Sequence, residues 1–190
     1  MATMSVNSTN QTSTNHTPTT QISSDNNTVL AEIFIAAPPD RVFQALTDPV
    51  QMPQWWGSKG MYRITECAGD VRPGGKWHTV GVGNDGTTFR IDGEYLEIDR
   101  PLLLVYTWLA TFAGMLRTTV RFDLEPRDVH GMHTGGLHRV GTGTVVKIRH
   151  YGFAKTPEQA EGHRNGWSKA LGWLQLYVEK GETIENRKFQ

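Results

Sequence analysis

Apolar residues recur at every second position through short segments between residues 29 and 150, then at every third or fourth position over residues 160–178. A period of two marks strands with one buried face, and a period near 3.6 marks an amphipathic helix. The alternating segments fall at 29–35, 62–67, 76–82, 89–95, 104–108, 120–124 and 144–150. Turn residues separate them, among them Arg72-Pro73-Gly74-Gly75, Asn84-Asp85-Gly86 and Arg100-Pro101, so an antiparallel meander is expected rather than βαβ units. Val42, Phe43 and Leu46, between Pro39 and Pro49, predict a short helix over 40–47, and Met52, Trp55 and Trp56 predict a second.

The last segment reads as one helix over 157–180, about six turns long. Thr156-Pro157-Glu158-Gln159 has the form of a capping box, and Gly181 supplies the stop. Ala160, His163, Trp167, Ala170, Leu171, Leu174 and Val178 make one apolar stripe along it. A single helix that follows a meander buries such a stripe by lying across the concave face of the sheet. The expected fold class is therefore α+β, a curved antiparallel β-sheet wrapped around a long C-terminal α-helix.

Residues 1–28 are mostly Thr, Ser, Asn and Gln with no Lys or Arg, and are expected to be a disordered polar tail; 29–181 form the folded domain, and 182–190 a C-terminal tail. Lys plus Arg balance Asp plus Glu at 19 each, so no net field favours nucleic acid or an anionic membrane. No apolar run approaches the roughly 18 residues that cross a bilayer, and the N-terminus lacks the basic and apolar blocks of a signal peptide. Cys67 is the single cysteine, which excludes an internal disulfide, suggests neither zinc nor a redox pair, and reads as a buried, inert thiol. Together these predict a cytoplasmic monomer or homodimer.

Several stretches carry a resemblance: residues 37–49, Trp55-Trp56-Gly57, Arg72-Pro73-Gly74-Gly75-Lys76-Trp77, residues 93–98, Val105-Tyr106-Thr107-Trp108, His150-Tyr151-Gly152-Phe153 and Gly166-Trp167. In this order and spacing they resemble the SRPBCC (START-like) superfamily, and within it the activator of heat-shock protein 90 ATPase homologue, C-terminal type, over roughly residues 29–180. The resemblance implies a helix-grip fold with a hydrophobic cavity between sheet and C-terminal helix. That superfamily hosts lipid carriers, polyketide cyclases, antibiotic-sequestering proteins and cochaperone domains. It thus implies three functions: binding an apolar or aromatic small molecule, a chaperone-associated role, or polyketide-cyclase-like catalysis. The polar N-terminal tail and the Gly- and His-rich stretch 127–141, read as a long inserted loop, depart from the pattern.

By inward parity, the candidate cavity lining is Trp56, Trp77, Tyr95, Tyr106, Trp108, Phe122, Ile148, His150, His163, Trp167 and Leu171. The same residues also fit a completely filled core. His150 and Tyr106 are the candidates for proton transfer, although a lone histidine on an apolar face is more often hydrogen-bonded within the core. Asp92 and Glu94 alternate with apolar neighbours and are placed on the solvated face. His130, His133 and His138 have spacings that suit a metal, yet no acidic or cysteine partner completes the set, so no metal or cofactor is expected. Gly74-Gly75 and Gly135-Gly136 open no helix and read as turns, not phosphate loops.

Overall fold

The computed structural model describes residues 16–133 and 136–187, with the backbone alone over 131–140. Among the described residues nine strands form one antiparallel sheet: β1 (Thr19–Ile22), β2 (Thr28–Ile35), β3 (Gly57–Ser58), β4 (Tyr62–Gly69), β5 (Lys76–Gly83), β6 (Thr88–Asp99), β7 (Leu103–Ala110), β8 (Arg117–His133) and β9 (Gly136–Tyr151). Their order is β1-β2-β9-β8-β7-β6-β5-β4-β3. Strands β3 to β9 are a simple meander, and β2 returns to the far side of β9. The short helices α1 (Pro39–Thr47) and α2 (Met52–Trp55) carry the chain from β2 across to the opposite edge.

The long helix α3 (Pro157–Lys180) packs its apolar stripe on the sheet as expected: Trp167, Ala170, Leu171, Leu174 and Tyr177 share one core cluster with Val29, Ile33, Phe122, Val146 and Ile148. Complete burial of a side chain such as Phe122 or Leu171 stabilises the fold by roughly 1.5–3 kcal/mol relative to its exposure. Gly181 ends the helix in the left-handed region at φ 67°, where its N–H reaches the Tyr177 carbonyl and the Glu182 N–H reaches that of Leu176. Among the described residues no helix is long and apolar enough to cross a membrane.

Four expectations need correction. The tail does not extend to residue 28, because Thr19–Ile22 pairs with β2 as an edge strand, from Thr19 opposite Glu32 to Ile22 opposite Val29; residues 1–15 lie outside the described part. Residues 127–133 and 136–141 are not a loop. Strands β8 and β9 continue through them, paired from Arg127 opposite Gly143 to His133 opposite Gly136, with a bulge between Val129 and His130. Residues 126–128 and 130 are exposed, so the described part of this arm offers no buried and exposed alternation to read. The capping box does not form either: the Thr156 N–H already donates to the Phe153 carbonyl at 2.7 Å, and the Gln159 side chain has no cap amide to take. Nor is the segment after α3 a free tail. Ile184 is buried, its N–H donates to the Gln54 carbonyl at 2.8 Å, and Arg187 reaches the carbonyls of Trp55 and Gly57.

Candidate functional site

A cleft of about 980 Å³ opens between the first half of α3 and one end of the sheet. Each wall follows from local sequence. The Asn84-Asp85-Gly86 turn between β5 and β6 forms one rim, and a single 3-10 turn, Thr111–Ala113, closed by Gly114 in the left-handed conformation, forms another. That short turn leaves Phe112 60% exposed over the mouth, with its ring 5.8 Å from Phe89. Phe89 lies over Gly81, in space that a side chain there would fill. Opposite, Gly162 and Gly166 stand one turn apart on α3, and a Cβ at either would meet no atom within 4 Å. At these two positions the helix presents bare backbone between Gln159, His163 and Trp167, which leaves the space that side chains there would fill.

Aromatic rings make the floor. Trp108 sits at its centre, with ring centroids 5.7 Å from Trp56 and 5.8 Å from Trp167. Three polar atoms of lining residues are buried without a hydrogen-bond partner in the protein: Nε1 of Trp108, Oε1 of Gln159 and Nε2 of His163. Such atoms are costly to leave unpaired, and they cluster at sites that meet a ligand. The His163 ring is held by its other nitrogen, Nδ1, which donates to the Gln159 carbonyl at 2.8 Å. Burial keeps its pKa below the usual imidazole value. The lining includes neither Lys nor Arg; its one carboxylate, Asp85 on the rim, accepts from the Thr87 N–H at 2.9 Å, which holds its pKa low.

Of the residues predicted to line a cavity, Trp56, Trp108, His163 and Trp167 do so. Trp77, Tyr95, Tyr106, Phe122, Ile148, His150 and Leu171 do not. They are buried in the packed core beside the cleft, where Tyr106 wedges between Trp77, Tyr95 and Phe122 at 4.9, 6.2 and 6.1 Å. The two candidates for proton transfer lose that role on the same geometry. Both ring nitrogens of His150 are engaged, by Trp167 and by Thr118, and burial keeps the ring neutral. Burial likewise raises the Tyr106 phenol well above its usual value. Neither side chain reaches the cleft with a free proton-transfer atom.

Asp92 and Glu94 are on the solvated face as expected, paired with Arg90 and Lys76. Cys67 is half-buried rather than buried; burial, with a smaller push from Asp48, raises its thiol to about 11, so it stays protonated and inert. Among the described residues no group of three or more His, Cys, Asp or Glu is placed to hold a metal; the side chains of His133 and His138 lie outside them. Reasoning from the sequence missed Gln159, Gly162, Gly166, Phe89 and Phe112. The two helix glycines were the available signal, since glycine inside a helix needs a reason.

Residues 36–179 match the sequence model of a family described as activator of Hsp90 ATPase homolog 1-like protein. No curated protein matches the chain. Among solved structures, a protein from Rhodobacter sphaeroides is 23% identical and superimposes with a TM-score of 0.64, covering 85% of this chain and 97% of its own. The AHSA1 protein from Silicibacter pomeroyi is 21% identical, with a TM-score of 0.61 and coverage of 80% and 96%. DynU16, from the dynemicin biosynthetic locus, is 18% identical, with a TM-score of 0.59 over 83% of this chain and 49% of its own. At these identities the likeness establishes the fold.

Proposed function

The chain belongs to the activator of Hsp90 ATPase homolog 1-like family, and from that premise we propose that it binds an apolar, aromatic small molecule in the cleft between the sheet and α3. The observation that carries this reading is the lining itself: a floor of three indoles in mutual contact, two glycines on the helix wall, and a few buried polar atoms with no partner in the protein. Small-molecule sites have this composition, mostly apolar walls with a few polar groups that orient the ligand, and volumes of roughly 300–1,000 Å³. A neighbour of the same fold from a biosynthetic locus is in keeping with a small organic ligand. Acid–base catalysis has no support from His150 or Tyr106, so the reading is of a binding protein.

The test is titration with the neutral fluorescent probe N-phenyl-1-naphthylamine, on the unchanged chain and on Gly162→Leu and Gly166→Leu. The unchanged chain is expected to give saturable enhancement. Both leucines should abolish it while leaving the fold intact, since each side chain enters open space and replacing a helix glycine raises helix propensity by about 1 kcal/mol. Equal enhancement by all three proteins would sink the reading.

A further inference from the structure

We infer that the ligand is a neutral hydroxylated aromatic whose hydroxyl donates to Nε2 of His163; this rests on the binding reading above and specifies its chemistry.

The direction of each hydrogen bond follows from what each atom is able to do. The Gln159 carbonyl only accepts, so Nδ1 of His163 carries the proton of the neutral ring, and Nε2 is left as a lone pair. That lone pair is buried with no partner, and so is Oε1 of Gln159, one turn earlier on the same helix wall. Two neighbouring acceptors call for a donor. On the floor, the Trp108 indole N–H is a buried donor with no partner, and its ring centroid lies 6.2 Å from that of His163. A hydroxyl group meets both needs, giving its proton to the imidazole and accepting from an indole N–H. An ether or ketone offers only an acceptor, and a hydrocarbon offers neither.

The body of the ligand is set by the rings around this point. Trp108 and Phe112 each approach His163 to 6.2 Å, and Trp56 and Trp167 extend the floor, so the walls are flat and suit a planar ring. Charge argues against an anion. The lining has no Lys or Arg to pair a carboxylate, and the Asp85 carboxylate stands on the rim that a ligand must pass.

Calorimetric titration of the full chain at about pH 7.5 with 2-naphthol, 2-methoxynaphthalene, naphthalene and 2-naphthoate separates the possibilities. We expect 2-naphthol to bind about tenfold tighter than 2-methoxynaphthalene or naphthalene, the span of one added hydrogen bond, and 2-naphthoate to bind weakest. His163→Phe keeps an aromatic ring and removes the acceptor; it should bring 2-naphthol to the level of 2-methoxynaphthalene while the latter still binds. Equal affinity for the naphthol and its methyl ether in the unchanged chain overturns this inference and leaves the binding reading standing. A preference for the naphthoate, or a naphthol preference that survives His163→Phe in a protein that still melts cooperatively, overturns it as well. If none of the four binds, the binding reading fails and takes this inference with it.

Discussion

Trp167 donates its indole N–H to Nδ1 of His150 across 3.0 Å, which ties α3 to β9 inside the core. An indole nitrogen has no lone pair to offer, so Nδ1 is the acceptor and the neutral ring keeps its proton on Nε2. That nitrogen lies 2.7 Å from Oγ1 of Thr118, whose own proton is left for the Trp108 carbonyl at 3.3 Å. The chain of donors thus runs from helix through β9 and β8 to β7. Every buried group in it is satisfied, which is what allows polar atoms to lie at the centre of an aromatic cluster.

Breaking this relay at either end should destabilise the fold. Trp167→Phe leaves the Nδ1 lone pair buried and unpaired, and Thr118→Val does the same to the Nε2 proton. Each is expected to lower stability by about 1–3 kcal/mol in urea denaturation. Because both act on one imidazole, the double variant should cost less than the two single losses combined. Strict additivity, to within about 0.5 kcal/mol, would show that the two hydrogen bonds are independent.

The same histidine shows where sequence reasoning stops. Its inward face was legible from alternation with Val146 and Ile148, and so were the period switch, the meander and the placement of α3. What alternation does not carry is which end of a sheet stays open. Trp77 and Trp108 have the same parity, yet the first is packed and the second floors the cleft. The difference is made by turn residues 84–88, by the 3-10 turn that lifts Phe112, and by Gly162 and Gly166, and none of these belongs to an apolar pattern. Parity itself also shifts locally: beyond the bulge between Tyr95 and Glu97, Glu97 is exposed and Ile98 packs against the core, the reverse of what alternation from Ile91 and Tyr95 predicts. The arm of β8 and β9 shows the opposite case: at residues 126–128 and 130 the described side chains are exposed in succession, so no alternation marks the strand there.

Acid should loosen the protein in a defined window. In the unfolded chain His150 and His163 take up protons near the usual value of 6.5, and in the folded protein burial pushes both lower, His150 the further. Besides burial, His163 lowers His150 further and the Gln159 backbone partly offsets the shift of His163; no carboxylate is among the groups acting on either. Below about pH 6.5 the unfolded state therefore binds more protons, so their contribution is whole above that value and is lost as pH falls toward the folded values. Depressed carboxylates such as Asp48, whose usual value is 3.8, act in a separate and lower window. Urea midpoints at about pH 7.5 and 5.5 should show the drop, and His163→Phe should reduce it. A midpoint that rises over this acidification would contradict the assignment.

Arg187 is expected to hold one wall of the cleft. Its Nη1 and Nη2 donate to the carbonyls of Gly57 and Trp55 at 2.9 and 3.2 Å, and its guanidinium stacks 5.6 Å over the Trp173 ring. Trp56, on the cleft floor, lies between those two carbonyls. Gly57 adopts φ 135°, which glycine takes without strain, and the arginine grips the backbone on both sides of Trp56. Arg187→Ala should lower stability by about 1–2 kcal/mol. It should also weaken N-phenyl-1-naphthylamine binding, because Trp56 is no longer held. Loss of stability with unchanged probe affinity would assign the arginine to the fold alone.

Core and cleft aromatics should respond to truncation in opposite ways, and this separates the packed reading of the interior from the open one. Tyr106 is almost wholly buried between three rings and touches no part of the cleft, whereas Phe112 is mostly exposed and overhangs its mouth. Tyr106→Ala removes a large buried side chain and should cost about 3–5 kcal/mol. Tyr106→Phe keeps the ring and should leave probe affinity unchanged. Phe112→Ala should cost less than about 1 kcal/mol, since little burial is lost, yet weaken probe binding several-fold by taking away one face of the mouth. Paired melting and titration curves for the three variants check this directly. If Phe112→Ala leaves affinity untouched while Tyr106→Phe reduces it, the ligand enters beneath the sheet's packed half, and the opening beside α3 is only a surface feature.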